Sequence, residues 1–233
     1  MNNAVRILQQ HMTSLPERDL CRLSVICDRL DEMNGVLNLT ALKTPEDIAM
    51  LHLYDSLTLM TTGLFQEGKK VIDIGCGGGF PALPIASCTD CNVTANDATA
   101  KKLAFVADTA KAAGVSISTL CGRAEELTQQ TEYREQFDIA VSRGVARLNV
   151  LCEWCMPFVK KGGYFIAMKG PGGIDEYEEA KNGIKILGGT DAEIIKCPIP
   201  TTERVHTLIV IKKVCPTPPQ YPRQNSKIKK KPL

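Results

Sequence analysis

The chain has 233 residues, of which 44% are hydrophobic and 23% are charged, and its formal net charge is +2 at pH 7. This length suits one large domain, alone or with an appendage, and the apolar content is that of a chain with a buried core rather than a disordered one. No apolar run reaches the roughly 18 residues that a membrane span requires, and no basic-then-apolar signal pattern opens the chain, so we expect a cytoplasmic protein without membrane partners.

Three helices are predicted ahead of the first strand. A short helix covers about residues 4–12, and a longer one runs from about Pro16 to Asn34, with Gly35 as its end. The third helix begins at Thr44, whose side chain can cap it, and Pro45 then occupies its first turn.

The third helix carries His52 and Asp55, and the three-residue spacing places both on one face. Such a pair could act in catalysis. It could instead form a helix-face contact that holds the N-terminal helices against a cofactor pocket, and we favour this second interpretation.

Strands and helices alternate from Lys70 onward, which predicts a mainly parallel sheet. Strands are predicted near residues 70–74, 92–97, 115–120, 137–142, 163–168, 192–197 and 205–212, and helices near 80–88, 99–113, 146–160 and 174–187. The connection between the last two strands is too short for a parallel crossover, so these strands should form an antiparallel hairpin.

We therefore expect an α/β, Rossmann-like fold with a seven-stranded, mainly parallel sheet and an antiparallel terminal hairpin, the variant typical of S-adenosylmethionine (SAM)-dependent methyltransferases. The predicted organisation has three parts. Residues 1–62 form an N-terminal helical extension packed on the core, residues 63–213 form the methyltransferase domain, and residues 214–233 form a basic, proline-containing arm.

A glycine-rich turn follows the first predicted strand, with Gly75, Gly77 and Gly79 at alternate positions. Glycines allow a sharp turn and a close approach to a ligand. The spacing fails the dinucleotide pattern G-x-G-x-x-G at its third glycine. Asp73, two residues before the first glycine, is instead typical of SAM enzymes, and Asp97 at the end of the next strand suits ribose hydroxyls. An NAD site and a turn that binds nothing are the alternatives.

Further candidate residues follow the third and fourth strands. The sequence Gly122-Arg123-Ala124-Glu125 could border an adenine, and Arg143 occupies the usual place of groups that face the target. Arg143 could contact the cofactor, an RNA phosphate or guanine O6, or it could form a salt bridge at the strand end. We name no catalytic residue.

Signatures of several base methylations are missing. No Asn/Asp-Pro-Pro-aromatic motif follows the fourth strand, and no cysteine nucleophile stands there or after the next strand. An atom with a free lone pair, such as guanine N7, needs neither device.

Ten cysteines raise the question of a metal site, because Cys88-x-x-Cys91 and Cys152-x-x-Cys155 have ligand-like spacing. The second pair lies in an apolar helical stretch, where cysteine acts as a small core residue. The first pair flanks a short turn. We expect no metal.

An ordered set of motifs resembles the RsmG (GidB) family of SAM-dependent 16S rRNA guanine-N7 methyltransferases over roughly residues 20–233. The set comprises Asn38-Leu39-Thr40, His52-x-x-Asp55-Ser56-Leu57, Asp73-Ile74-Gly75-Cys76-Gly77-Gly78-Gly79-Phe80-Pro81, Gly122-Arg123-Ala124-Glu125-Glu126, Ser142-Arg143, Met168-Lys169-Gly170 and Tyr221-Pro222-Arg223. The resemblance implies guanine 527 in the 530 loop as the target and the small ribosomal subunit as the partner. It also implies cofactor contacts at Gly75, Phe80, Ala124, Glu125 and Arg143.

The last part of the chain is strongly basic, since eight of the 28 Lys and Arg residues and no acid lie between Arg204 and Leu233. Such an arm can bind RNA phosphates. It could also be a disordered solubilising end, or fold back and seal the domain edge. A small-molecule SAM methyltransferase and a non-catalytic SAM-binding ribosome assembly factor are the rival functions.

Overall fold

The computed structural model describes residues 1–233. Its N-terminal part consists of α1 (Asn3–His11), α2 (Glu17–Leu37) and a continuous helical segment, 45–62, made of α3 (Pro45–Asp47), a π-helical stretch (Ile48–Tyr54), α4 (Asp55–Leu57) and a 3-10 stretch (Thr58–Thr62). The Thr44 hydroxyl accepts a hydrogen bond of 3.1 Å from Asp47 N, which confirms the predicted cap.

Seven strands form one sheet in the order β3-β2-β1-β4-β5-β7-β6. They are β1 (Lys70–Ile74), β2 (Asn92–Asp97), β3 (Ser118–Cys121), β4 (Phe137–Arg143), β5 (Val159–Lys169), β6 (Glu193–Pro198) and β7 (Val205–Lys212). The five strands from β3 to β5 pair in parallel, and β7 runs antiparallel to both β5 and β6. The predicted sheet and its terminal hairpin are confirmed.

Helices follow the strands on both faces of this sheet. They are α5 (Ala82–Cys88), α6 (Ala100–Ala112), α7 (Ala124–Leu127), α8 (Leu148–Cys155), α9 (Gly173–Ile186) and α10 (Asn225–Lys230). The strand order reverses between β1 and β4, so their carboxyl ends mark the crevice where a sheet of this type binds its ligands.

Alternate residues of the strands belong to two apolar clusters, one on each face of the sheet. Val71 belongs to a cluster of 37 buried residues, and its neighbour Ile72 belongs to a cluster of 24. The first cluster also contains Leu8 of α1 and Leu23 of α2, so the N-terminal helices share a core with the sheet.

Two predicted helix ends were wrong. Helix α2 runs past Gly35 to Leu37, and Asn38 instead takes the left-handed conformation, with φ 50°. The Asn34 side chain bonds both the N–H and the C=O of Thr40, at 2.9 and 3.0 Å, which fixes this exit of the chain. Helix α8 stops at Cys155 because a short 3-10 turn containing Pro157 follows it.

Two predicted strand starts were also displaced. Strand β3 begins at Ser118, later than predicted, because Val115 N–H still bonds to Ala110 O and closes the end of α6. Strand β5 begins earlier, at Val159, which pairs with Phe137 ahead of a register shift.

Residues 214–233 lie against the domain. Arg134 donates to Thr217 O and Tyr221 O, both at 2.9 Å, and Ile228 is fully buried in the smaller cluster. Of the alternatives for this arm, the contacts show the folded-back one. Among all helices, none is both long and apolar enough to cross a membrane.

Candidate cofactor and substrate site

The glycine turn after β1 is tied to the end of β2. Gly75 and Cys76 both donate to Asn96 O at 2.9 Å, and Gly77 N donates to a carboxylate oxygen of Asp97 at 3.2 Å. The other Asp97 oxygen accepts from Thr99 N at 2.8 Å. The turn and the acid, found separately in the sequence, are therefore parts of one structure.

Gly75 and Gly77 both require glycine, for partly different reasons. Their φ values are 76° and 56°, in the left-handed region that side chains disfavour. A Cβ on Gly75 would lie 2.6 Å from Val145 Cγ2, whereas a Cβ on Gly77 would enter open space.

Three adjoining cavities follow the carboxyl ends of the strands. The first, of ≈ 180 Å³, is lined by residues that range in sequence from β1 to α10, among them Gly75, Asp97, Ala124 and Glu125. The second, of ≈ 460 Å³, is lined by Leu39, His52, Gly75, Cys76, Gly77, Gly78, Phe80, Asp97, Lys102, Arg143, Gly144 and Val145. The third, of ≈ 500 Å³, is lined by Leu51, His52, Asp55, Arg143, Gly144, Val145, Ala146, Arg147, Met168, Lys169, Gly170, Glu176 and His206.

Val145 lines all three cavities, and Arg143 lines the second and the third. The cavities therefore adjoin one another along this edge of the sheet, with Arg143 between the second and the third, and the three together are called the crevice below. Seven of the eight predicted cofactor residues line this crevice.

Asp73 is the exception, because it lies behind the turn and lines none of the three cavities. It is fully buried, and one of its oxygens accepts from Ala82 N at 3.0 Å, at the start of α5. The other oxygen has no partner. Burial raises the pKa of Asp73 to about 7. The structure shows Asp73 fixing the turn through Ala82, and the cofactor contact expected from the sequence stays a prediction.

A buried ionic network separates the second and third cavities. The Arg143 guanidinium contacts one Asp55 oxygen at 2.8 Å, and His206 Nδ1 lies 2.7 Å from the other. Burial by itself would raise the pKa of Asp55, but the hydrogen bond from His206 and the Arg143 charge outweigh it, so the pKa is lowered. Asp55 is therefore a structural anion that joins the helical segment 45–62 to β4 and β7.

His52 does not bond to Asp55, although the two share a helical segment. Its Nδ1 lies 3.0 Å from Arg143 Nη2, its Nε2 lies 2.7 Å from Thr40 Oγ1, and its ring stacks on Phe80 at 4.5 Å. Burial and the Arg143 charge lower the pKa of His52 to about 3, so the ring is neutral at pH 7. With Nδ1 accepting from Arg143, Nε2–H donates to Thr40. These contacts match the holding role favoured from the sequence.

The outer wall of the third cavity carries two further ion pairs. Lys169 Nζ lies 2.8 Å from Glu176 and donates to Ala146 O at 2.6 Å, while the exposed Arg147 pairs with Glu179 at 2.6 Å. This cavity is therefore polar, with cationic groups held in place by carboxylates.

Sequence reasoning missed several crevice residues, among them Val145, Trp154, His206 and Asn225. Val145 and His206 carry no motif, and only the fold brings them to this edge. Trp154 belongs to the apolar stretch around Cys152 and Cys155, whose pattern predicts only a helix that packs in the core.

No group of three or more His, Cys, Asp or Glu side chains is placed to hold an ion in this structure. Cys152 and Cys155 are fully buried on α8, and burial raises the pKa of both thiols. Cys91 Sγ donates to Gln66 O at 3.2 Å.

One observation tests whether the crevice fits SAM. Glu125 is 7% exposed, lines the first cavity, and has a carboxylate oxygen without any partner in the chain. A buried oxygen of this kind requires a donor, and the adenine amine supplies one. The open space at Gly77 and the carboxylate of Asp97 suit the rest of the molecule.

The sheet order with β7 antiparallel, the glycine turn after β1 and the acid at the end of β2 define a SAM-dependent methyltransferase. Solved structures share the fold. Geranyl diphosphate C-methyltransferase from Streptomyces coelicolor A3(2) is 13% identical, with a TM-score of 0.54 over 69% of this chain and 79% of that one. A [4+2]-cyclase is 15% identical, with a TM-score of 0.55 over 82% and 93%.

Sequence comparison is more specific. The model of the GidB family, described as rRNA small subunit methyltransferase G, matches residues 20–205, and this chain belongs to that family. Ribosomal RNA small subunit methyltransferase G of Clostridium novyi (strain NT) is 41% identical over 208 residues, which are 88% of this chain and 86% of that protein. The protein of the same name from Lactobacillus johnsonii is 38% identical over 230 residues, 97% and 96% of the two chains.

Proposed function

We propose that this chain transfers the SAM methyl group to N7 of guanine 527 in 16S rRNA. The observation that supports the proposal is the row of adjoining cavities in a member of this family, in which the third cavity adjoins the second at Arg143. A cofactor and an inserted base can occupy its two ends. We propose a cytoplasmic enzyme, since the proposed substrate is ribosomal RNA.

Seven residues of the crevice are proposed to hold the cofactor: Gly75, Gly77, Phe80, Asp97, Ala124, Glu125 and Arg143. Asp97 accepts two backbone hydrogen bonds, and an ionised carboxylate has about four acceptor positions in all. It can therefore take the ribose hydroxyls without releasing the turn. Gly77 leaves room beside this acid.

The proposed methyl transfer requires no acid–base catalysis by side chains. When bound, SAM supplies an activated methyl group, and guanine N7 already has a free lone pair. No proton has to leave N7 before attack, so a general base has no task here. The two candidates for that task, His52 and Asp55, are both held in the buried network with Arg143.

Catalysis then depends on positioning, which can supply several kcal/mol of the barrier reduction. Arg143 lines both the cofactor end and the base end of the crevice. A donor on guanine N7 would block the attack, so Arg143 can bond O6 or a phosphate but not N7. No metal ion is required for any of these roles.

The partner is proposed to be 16S rRNA, free or within the small subunit. Exposed lysines on and beside α10, namely Lys227, Lys229, Lys230 and Lys231, lie next to Asn225 at the rim of the first cavity. Cationic groups beside the crevice would attract the RNA backbone.

The experiment is transfer of a labelled methyl group from SAM to 16S rRNA and to small subunits taken from cells that lack the gene. We expect one labelled guanine, at position 527, and no label when that guanine is replaced by adenine. Label on a small molecule alone would favour a small-molecule methyltransferase. SAM binding without transfer to either RNA substrate would favour an assembly factor.

A further inference from the structure

Three residues that line the first cavity each carry a buried polar atom without a partner in the chain. The atoms are Glu125 Oε1 on α7, Trp154 Nε1 on α8 and Asn225 Oδ1 at the start of α10. Leaving a buried polar group unpaired costs about 1–3 kcal/mol. Three such atoms from three different elements around one cavity indicate a ligand whose polar edge satisfies them.

The C-terminal segment is fixed beside this cavity by strong contacts. Arg223 forms a bidentate ion pair with Glu153, at 2.9 Å from Nε and 2.6 Å from Nη2, and its backbone N–H donates to the same carboxylate at 2.7 Å. Glu153 is fully buried and directly precedes Trp154. The segment is thereby attached to the helix that supplies the second unpaired atom.

Two more contacts hold the segment on either side of Asn225. Gln129 donates to Pro222 O at 3.2 Å, and Ile228 is fully buried in the smaller core cluster. Asn225 therefore reaches the cavity from a backbone that is anchored before and after it.

The three atoms present a pattern of donors and acceptors that is complementary to a purine base. Glu125 Oε1 and Asn225 Oδ1 are acceptors, and Trp154 Nε1–H is a donor. Adenine offers the complement: the N1 acceptor lies beside an N6 amine, which directs one hydrogen to the Watson–Crick edge and the other to the Hoogsteen edge. Hypoxanthine, with a carbonyl at position 6 and a proton on N1, offers the reverse pattern.

We infer that the C-terminal segment completes the purine end of the cofactor site, where Asn225, Trp154 and Glu125 recognise the edge of adenine. The inference rests on the proposed function in one respect, that SAM occupies this crevice. It makes the basic arm part of the cofactor site as well as a surface for RNA.

Calorimetry on the full chain tests this, with S-adenosylhomocysteine and its hypoxanthine analogue S-inosylhomocysteine as the probes. The wild-type chain should bind the adenine compound at least about tenfold more tightly, since one lost buried hydrogen bond is worth about that factor. Asn225→Ala should weaken the adenine compound by about tenfold and the hypoxanthine compound much less. Gln224→Ala is the matched control, because this exposed neighbour does not line the first cavity.

Trp154→Phe provides a second variant that removes the N–H and keeps most of the ring. Like Asn225→Ala, this variant should reduce the ratio of affinities for the adenine and hypoxanthine compounds. Its circular dichroism spectrum should be unchanged. Unaltered affinity and preference in both folded variants would overturn the inference. A folded wild-type chain that binds both compounds equally would overturn it while leaving the cofactor in place, whereas one that binds neither would overturn the proposed function itself.

Discussion

Arg143, the last residue of β4, forms a 2.8 Å ion pair with Asp55 in the helical segment 45–62, and their side chains are only 15% and 3% exposed. The pair joins an N-terminal segment to the strand end where the order of the sheet reverses. His206 of β7 contacts the same carboxylate at 2.7 Å. The N-terminal segment is therefore part of the crevice wall, and its position depends on charge pairing within the protein.

Arg143→Ala should destabilise the chain by about 3–5 kcal/mol, because it removes the guanidinium partner of the buried Asp55 carboxylate and leaves only the His206 contact. Urea denaturation measures the change. The matched control is Arg147→Ala, which breaks an exposed pair with Glu179 and should cost less than about 1 kcal/mol. Equal midpoints for the two variants would show that the Arg143 pair does not hold the segment.

Asp97→Ala should weaken SAM binding by about 1–3 kcal/mol, the cost of leaving buried hydrogen-bonding groups unpaired. The change also removes an acceptor from Gly77 and Thr99, so a small loss of thermal stability should accompany it. Asp108→Ala, an exposed acid on α6, is the control in the same calorimetric titration. If both variants bind SAM like the wild type, the ribose contact lies elsewhere.

Asp73→Asn should make the stability of the cofactor-free chain depend less on pH. Burial raises the pKa of Asp73 from its usual 3.8 to about 7, so the folded state keeps a proton in that window and the unfolded state does not. The free energy of unfolding of the wild type therefore falls as pH rises through the window, by up to about 1.4 kcal/mol per pH unit. Asparagine has no charge to bury and can keep the bond from Ala82.

The measurement is the difference between the two proteins in chemical denaturation from pH 4 to pH 8. His52 acts in the opposite direction, since its lowered pKa makes stability rise with pH below about 6.5, but it is present in both proteins and cancels in the difference. The free energy of unfolding of the variant should increase relative to that of the wild type as pH rises. A difference that stays constant across this range would contradict a raised pKa.

Changing Lys227, Lys229, Lys230 and Lys231 together to Gln should weaken RNA binding. The loss should lie entirely in the salt-dependent contribution to the binding free energy. If all four meet phosphates, the log–log salt slope should flatten by up to about 3–4 units. Thermal stability should stay near that of the wild type, because these side chains are exposed, and SAM affinity should change only through the contact of Lys229 with the Trp154 ring at 5.7 Å. Deleting residues 217–233 should also lower thermal stability, since it removes Arg223 and the buried Ile228 as well. A salt slope that the lysine changes leave intact would mean that RNA binds another surface.

The sheet could be predicted from the sequence because its signals are local. The bounds of β1, β2 and β7 followed from apolar runs between turn signals, and the hairpin followed from the length of one connection. Gly75, Gly77 and Asp97 were found because a tight turn and an acid at a strand end leave marks in the sequence that do not depend on tertiary packing.

The remainder of the site depends on contacts between distant residues. Asp55 and His206 are 151 positions apart, and nothing near either residue indicates its partner. Arg223 pairs with Glu153 across 70 positions, so the sequence left open whether the basic arm is disordered or folds back on the domain. Asp73 resembled a ligand-binding acid in sequence, yet the depth at which the turn buries it is visible only in the fold.

Mapping 7-methylguanosine in 16S rRNA, by chemical cleavage at the methylated base, is the most direct test of the proposed methyl transfer. RNA from cells with the gene, from cells without it and from cells complemented with the Asp97→Ala variant should be compared. We predict a single cleavage at guanine 527 that is absent without the gene and weakened with the variant. The same cleavage in RNA from cells that lack the gene would contradict the account.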